Sequence, residues 1–176
     1  VKNKSLFTGD RWSYMEAGDT SKPAVICLHG IGDNSMAWRY QYAGLAKKFH
    51  IIGWNAPGYM LSDALAKQTP EAKDMADALA DFMDALGIEQ AYLVGNSFGS
   101  RVAFCFAKYY PQRVKKMMFV GPSAAKYKPS EKEVSDYMAF REAQIPAGGM
   151  SFPKNRAAAL LAPNPPAWLL GMVEHA

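Results

Sequence analysis

The chain has 176 residues, 49% of them apolar or aromatic, so it is long enough to bury one sizeable core. Its formal net charge is only +4, and its lysines and arginines are scattered. Because no nucleic-acid-binding motif accompanies them, the composition argues against a nucleic-acid-binding protein. No apolar run reaches the length of a membrane span, and no leader peptide is recognisable, so we expect no membrane association.

Short apolar runs, each followed closely by glycine, proline or asparagine, occur at intervals in the first two thirds of the chain. They predict four buried parallel strands, at Ala24–Leu28, His50–Trp54, Ala91–Val94 and Lys116–Val120. Trp12–Ala17 predicts an additional, antiparallel strand near the amino terminus.

Helical patterns alternate with these strands. They predict helices at Ser35–Lys48, Pro70–Leu86 and Phe98–Tyr109. For the second of these, Thr69 is the predicted N-cap and Gly87 the residue past the end. The alternation predicts an α/β fold built on a doubly wound, mostly parallel sheet.

The composition changes after Ser123, where the chain becomes rich in alanine, proline and methionine. Residues 1–123 therefore form the predicted core. Residues 124–176 form a predicted helical layer, with helical pieces at Ser130–Gln144 and Pro166–Val173 and no further strand.

The chain has two cysteines and three histidines. Cys27 and Cys105 lie in separate apolar elements, which predicts packed thiols in a reducing compartment rather than a disulfide. We therefore expect a cytoplasmic protein. The histidines are dispersed and have no cysteine–histidine spacing, so no metal site is expected.

The most informative motif, Gly95-Asn96-Ser97-Phe98-Gly99, lies where a predicted strand runs into a helix. G-x-S-x-G in this context is typical of a nucleophile elbow, a strained bend that lifts a serine hydroxyl above the sheet. An ordinary glycine-rich turn is the alternative for a bare match, so the surrounding sequence has to decide between them.

A second motif, His29-Gly30-Ile31-Gly32, ends the strand Ala24–Leu28. An acyl-transfer site needs two backbone N–H donors aimed at the oxyanion, each worth about 3 kcal/mol of barrier. Ile31 and Phe98, the residue after the serine, are the candidates for these donors. His29 is predicted to close the strand structurally rather than to act as a base.

The same glycines imitate the start of a dinucleotide-binding fingerprint. That fingerprint requires glycine or alanine where Ser35 stands, and an acid after the next strand to hold a ribose hydroxyl. The next strand is followed by Asn55-Ala56-Pro57-Gly58, which contains no carboxylate. The dinucleotide interpretation is therefore disfavoured, and no cofactor is expected.

Together the motifs resemble the α/β-hydrolase superfamily. The matching pieces stand in the usual order: H-G-I-G at 29–32, N-A-P-G-Y-M-L-S-D at 55–63 and G-N-S-F-G at 95–99. The middle piece is most similar to the esterase, enol-lactonase and carbon–carbon-bond hydrolase branch. Within it, Met60 replaces a usual glycine and Asn55 a frequent aspartate, and both bear on the loop beside the pocket.

The resemblance implies Ser97 as the nucleophile, with Ile31 and Phe98 as oxyanion donors. It implies a small-molecule substrate and no cofactor. A serine at this position argues against the haloalkane dehalogenase and epoxide hydrolase branches, whose nucleophile is aspartate.

The triad acid and histidine follow the serine in this superfamily. Downstream of Ser97 the only histidine is His175, and Asp136 is an acid that could pair with it. Residues on cap helices rarely converge on a strand-end serine. The resemblance therefore implies that the acid and the histidine lie after Ala176. We expect the sequence to be the amino-terminal part of a longer protein, with an incomplete helical cap and without the last core strands.

The sequence thus predicts a serine hydrolase that cleaves a small ester, lactone or activated diketone. A hydrolase-fold ligand-binding protein or receptor with little turnover is the alternative. Both classes can keep the G-x-S-x-G bend, so the sequence does not separate them.

Overall fold

The structure, a computed structural model, describes residues 1–122, 130–132, 135, 136 and 139. Within residues 1–122 it contains five strands: β1 (Tyr14–Ala17), β2 (Ala24–Leu28), β3 (His50–Trp54), β4 (Ala91–Asn96) and β5 (Val114–Val120). The sheet order is β1-β3-β2-β4-β5, in which β1 is antiparallel to β3 and all other pairs are parallel. The predicted α/β fold with a mostly parallel sheet is confirmed.

Helices occupy the predicted connections. They are a 3₁₀ helix at Ser35–Trp38, α1 (Arg39–Leu45), α2 (Ala72–Ala85), α3 (Phe98–Tyr109) and a 3₁₀ turn at Pro111–Arg113. The bounds of β2, β3 and α3 agree with the prediction to the residue.

The predicted single helix Ser35–Lys48 is wrong in its first turn and at its end. The Asn34 side chain accepts the Met36 N–H at 2.8 Å, which caps a tight 3₁₀ turn instead of an α-helical one. The α-helical part, α1, then occupies only Arg39–Leu45. The break matters because the 3₁₀ turn follows directly on the loop that leaves β2.

Helix α2 begins later than predicted. Its N-cap is Glu71 rather than Thr69, because the Asp74 carboxylate accepts the Glu71 N–H at 2.6 Å and so completes a first turn from that residue. Gly87 follows the helix with φ +68°, as the predicted stop signal requires.

The core lies on both faces of β2 and β3, which are buried throughout. Alternate residues of β2 point to opposite faces. One face packs against α2 and α3, where Phe82 and Phe106 are fully buried. The other packs against the 3₁₀ helix and α1 through Cys27, Trp38 and Tyr42.

Both cysteines are free. Cys27 is buried, and burial raises the pKa of its thiol to about 12, so it remains protonated and packs as a small apolar side chain. Cys105 is half-buried against the other core cluster. The prediction of packed thiols therefore holds fully for Cys27 and in part for Cys105.

Strand β5 is the least buried strand of the parallel part of the sheet. In the described residues it pairs on one side only, with β4, and Met118 and Val120 are exposed. Phe119 stacks on Phe104 with ring centroids 4.3 Å apart. No helix in this part of the chain is long and apolar enough to cross a membrane.

Beyond residue 122 the structure describes only a few residues of the predicted layer 124–176. Within the predicted helix Ser130–Gln144, residues 131, 132, 135, 136 and 139 are helical. The predicted helix Pro166–Val173 and His175 lie outside the described residues. The predicted division at residue 123 therefore stays a prediction.

Candidate active site

Ser97 sits in a strained backbone conformation at the junction of β4 and α3. Its φ of +48° and ψ of −109° lie in a region that side-chain-bearing residues rarely adopt. The Ser97 N–H donates to the Val120 carbonyl at 3.1 Å, and the Ser97 carbonyl accepts the Ser100 N–H at 3.0 Å. Strain of this kind persists only where the surroundings hold it, and here hydrogen bonds on both sides do so.

We call residues 95–99 the Ser97 bend. Close packing against neighbouring backbone requires glycine at the first and the last of these residues. A Cβ atom on Gly99 would overlap the Leu28 carbonyl group of β2. A Cβ atom on Gly95 would lie 2.7 Å from the backbone nitrogen of Ser100. The spacing G-x-S-x-G therefore has a steric cause in this fold.

The loop that leaves β2, residues 29–35, lies against this bend, and we call it the Gly30 turn. Because Leu28 pairs with Gly95 in parallel register, β2 and β4 end at the same edge of the sheet. A Cβ atom built on Gly30 would lie 3.5 Å from the Ser97 Cβ. Gly32 adopts φ +75°, which turns the chain directly after Ile31.

The two predicted oxyanion donors belong to these two adjoining loops. Ile31 is partly exposed in the Gly30 turn, and Phe98 is the first residue of α3. N–H groups in the first turn of a helix have no intrahelical acceptor and carry the positive end of the helix dipole. The structure thus brings the segments that carry Ile31 and Phe98 next to Ser97, and their roles as donors belong to the proposal below.

His29 is buried at the start of the Gly30 turn and both of its ring nitrogens are occupied. Its Nδ1 donates to the Gly30 carbonyl at 2.8 Å, and its Nε2 accepts the Ala56 N–H at 3.1 Å. Burial lowers the pKa of the imidazole below its usual 6.5, which favours this neutral tautomer. These contacts fit the predicted structural role and leave no nitrogen to act on Ser97.

His50 is distant from Ser97. It is the first residue of β3, whereas Ser97 lies at the edge of the sheet where the parallel strands have their carboxyl ends. Its Nε2 lies 2.6 Å from a Glu16 carboxylate oxygen. Neither of the two histidines within residues 1–122 therefore serves Ser97. Asp136 is exposed and pairs with Lys132 at 2.9 Å, and its predicted partner His175 lies outside the described residues.

Sequence reasoning missed a buried polar network that adjoins the Gly30 turn. The Asn55 Oδ1 accepts the Ser35 N–H at 2.8 Å, and the Asn55 Nδ2 donates to the Ser13 Oγ at 2.9 Å. Ser62 donates to the Asn55 carbonyl at 2.8 Å. Polar residues at 55 and 62 within an otherwise apolar loop are a sequence signal for part of this network. Nothing in the sequence marks Ser13.

Two residues of the loop 55–63, Met60 and Asn55, differ from the family motif that the sequence resembles, and the structure shows different consequences for each. Met60, at the position where the resemblance predicts glycine, takes φ +51° and is exposed, so a side chain stands in a conformation that favours glycine. Asn55 is buried and hydrogen-bonded through both ends of its amide. In the part of the chain that the structure describes, no three His, Cys, Asp or Glu side chains cluster to hold a metal ion.

The family model for the alpha/beta hydrolase fold matches residues 23–164 of this sequence. The chain belongs to the α/β-hydrolase family. It is 39% identical over 113 residues to a 2-hydroxy-6-oxo-6-phenylhexa-2,4-dienoate hydrolase of Comamonas testosteroni, which covers 62% of this chain and 39% of that protein. It is 30% identical over 114 residues to epoxide hydrolase 4 of Mus musculus, covering 64% of this chain and 32% of that protein.

Solved structures share the fold. A crystal structure from a study of carboxylesterases of the thaumarchaeon Nitrososphaera gargenis superposes with a TM-score of 0.78 at 20% identity, covering 94% of this chain and 61% of that one. At this identity the match shows the fold alone. The chain spans less than two fifths of the length of the two curated relatives.

Proposed function

We propose that this protein is a serine hydrolase that cleaves a small ester, lactone or activated diketone through an acyl-enzyme at Ser97. The observation that carries the proposal is the strained Ser97, held at φ +48° between β4 and α3 with the Gly30 turn packed against it. Strain retained at a serine between a strand and a helix is typical of catalytic nucleophiles.

In this mechanism the Ser97 Oγ attacks the substrate carbonyl carbon while a histidine removes its proton. The N–H groups of Ile31 and Phe98 stabilise the oxyanion of the tetrahedral intermediate. Collapse of the intermediate expels the alcohol, or the stabilised carbanion of a diketone, which takes the proton back from the histidine. Water then hydrolyses the acyl-serine by the same route.

The base in this proposal is neither His29 nor His50. The first uses both ring nitrogens within the protein, and the second lies at the opposite edge of the sheet. The proposal therefore places the base, and the acid that orients it, outside the described residues.

The residue at the bend favours acyl transfer over the other reactions of this fold. The relatives and the solved structure are named for three chemistries, dienoate hydrolysis, epoxide hydrolysis and ester hydrolysis, so the fold alone does not choose among them. Ser97 argues against an aspartate-dependent route of the epoxide hydrolase kind. The dienoate hydrolase, the more similar of the two curated relatives, supports the ester-to-diketone range of substrates.

The test uses the full-length natural protein. Treatment with diisopropyl fluorophosphate should add one phosphoryl group to the peptide that contains Ser97, as read by mass spectrometry, and abolish hydrolysis of p-nitrophenyl butyrate. Labelling of Ser97 without any turnover of esters, lactones or diketones would favour the ligand-binding alternative. Ester turnover that survives complete labelling of Ser97 would overturn the proposal.

A further inference from the structure

Asn55 is a buried residue directly after β3, and its amide oxygen accepts a backbone N–H from the loop that lies against Ser97. We propose that Asn55 is a positioning residue that holds the Gly30 turn in place against the Ser97 bend. The proposal rests on the proposed function, in which this turn carries the oxyanion donor Ile31.

Asn55 and its neighbour Ala56 hold both ends of the turn. The Asn55 Oδ1 accepts the Ser35 N–H at 2.8 Å, which secures the end of the turn. The Ala56 N–H donates to the His29 Nε2 at 3.1 Å, and the His29 Nδ1 donates to the Gly30 carbonyl at 2.8 Å, which secures its start. Ile31 and Gly32 are exposed between these two fixed ends. The position of the Ile31 amide therefore depends on where β3 places residues 55 and 56.

Backbone N–H groups on both sides fix which way the Asn55 amide faces, because Ser35 donates to its oxygen and Leu61 donates to the Ser13 hydroxyl that accepts from its nitrogen. The Ser13 Oγ accepts from the Asn55 Nδ2 at 2.9 Å and from the Leu61 N–H at 3.2 Å. A hydroxyl has two lone pairs and one proton, so the Ser13 proton is left for the Ser62 Oγ, 3.2 Å away. The Ser62 proton in turn faces the Asn55 carbonyl at 2.8 Å.

In this network the Asn55 Nδ2 donates to a hydroxyl, and the Ser62 proton has the backbone carbonyls of Asn55 and Ser13 as acceptors. The Asn55 amide oxygen must then face Ser35, because a flipped amide would set two donors against each other there. An aspartate has the same shape but only accepts hydrogen bonds. It would draw the Ser13 proton away from Ser62 and bury a negative charge. The observed network therefore suits the neutral asparagine amide, whose nitrogen donates to Ser13 while its oxygen accepts from Ser35.

A generic buried polar residue would stabilise the fold without affecting the turn, and Ser62 provides the matched control. Its side chain is as buried as that of Asn55, at 6% against 4% exposure, and belongs to the same network. Its hydrogen-bond partners are Ser13 and the Asn55 carbonyl, and neither belongs to the Gly30 turn.

The experiment compares full-length wild type, Asn55→Ala, Asn55→Asp and Ser62→Ala. Hydrolysis of p-nitrophenyl butyrate gives kcat and KM, and hydrogen exchange read by mass spectrometry follows peptides of the Gly30 turn. We expect both Asn55 variants to lose about 10- to 100-fold in kcat with KM within about twofold, since a displacement of about 1 Å costs that much. Exchange in residues 30–35 should accelerate in both. Ser62→Ala should lower the melting temperature while keeping kcat within about threefold.

Two results would overturn the proposal: an Asn55 variant that keeps wild-type kcat and exchange, or a Ser62→Ala variant that loses kcat and protection of the turn equally. Asn55→Asp preserves side-chain volume, so it serves if Asn55→Ala does not fold. If the wild type hydrolyses no substrate, the proposed function fails on its own account. Hydrogen exchange then decides alone, because faster exchange confined to the Asn55 variants supports the positioning role and equal exchange in all variants refutes it.

Discussion

The two loops that meet at Ser97 are held in different ways. The Ser97 bend is held by backbone hydrogen bonds of Ser97 and by close steric contact, because Gly95 and Gly99 lie against the backbone of α3 and β2. The Gly30 turn is held by side-chain hydrogen bonds, from its own His29 and from Asn55 after β3. A loop held by packing tolerates no added atoms, whereas a loop held by hydrogen bonds depends on a few distant polar groups.

The two kinds of support suit the two roles proposed for these loops. The nucleophile needs one fixed position, which close packing supplies. An oxyanion donor needs an N–H oriented to within a fraction of an ångström, which hydrogen bonds can set from behind while the loop surface stays open to substrate. Partial exposure of Ile31 beside a buried His29 agrees with this division.

The largest expected effect is at the centre of the bend. Ser97→Ala in the full-length protein should lower kcat by about 10⁶-fold, since the members of a catalytic triad act as a unit. The matched control is Ser100→Ala, which removes a hydroxyl bonded to the Gly95 carbonyl at 2.8 Å and should reduce stability while keeping activity. Steady-state ester hydrolysis measures both, and a loss below about tenfold for Ser97→Ala would exclude it as the nucleophile.

Gly32→Val tests the turn. A β-branched residue at φ +75° should force the backbone after Ile31 to move and slow acylation by about 10²–10³-fold, the usual loss for one oxyanion donor. Stopped-flow release of p-nitrophenol measures the acylation step. Gly32→Asn is the control, because asparagine tolerates this conformation and should lose much less. An unchanged acylation rate in a folded Gly32→Val protein would remove the turn from the mechanism.

Gly99→Ala tests the claim that packing holds the bend. The added methyl group would overlap the Leu28 carbonyl, so the free energy of unfolding should fall by about 3 kcal/mol in urea denaturation. Gly44→Ala is the control within α1, where a Cβ atom meets nothing within 4 Å. That change should stabilise the protein by about 0.5–1 kcal/mol. Equal stability of the two variants would contradict the steric account.

Met60→Gly tests whether backbone strain outside the two loops lowers the stability of the protein. Because Met60 is exposed at φ +51°, relief of the left-handed conformation should raise the free energy of unfolding by about 1 kcal/mol. Urea denaturation measures the gain, and Met36→Gly, a change of another exposed methionine at negative φ, should show none. A loss of stability in Met60→Gly would mean that the side chain makes a contact worth more than the strain.

The smallest expected effect is a pH dependence from His29. Burial holds its pKa in the folded protein below the usual 6.5, so the unfolded chain binds the proton first as the pH falls. The contribution of neutral His29 to the free energy of unfolding should be fully present above pH 6.5. It should decline as the pH falls from there towards the lowered pKa of His29 in the folded protein. Urea midpoints between pH 8 and 5 measure this, and His29→Gln should flatten the decline. A wild-type midpoint that is constant across this window would contradict the prediction.

Local patterns were sufficient for much of the fold. Strands β2 and β3 are continuous apolar runs because both of their faces are covered, and such runs end visibly at a polar residue, glycine or proline. Strands β4 and β5 extend further than predicted, because pairing reaches Asn96 in β4 and, across a register shift, Val114 in β5. The 3₁₀ turn before α1 and the late start of α2 depend on side-chain caps at Asn34 and Asp74 that propensity does not weigh.

The sequence by itself predicted the Ser97 bend, because the strained serine and the two glycines that close packing requires stand within five consecutive residues and leave a readable spacing. Only the tertiary structure decided what holds the Gly30 turn. The Asn55 amide reaches a hydroxyl 42 residues away, on Ser13, and a backbone N–H 20 residues away, on Ser35. Hydrogen bonds between segments so distant in sequence depend on strand register, which no local pattern encodes.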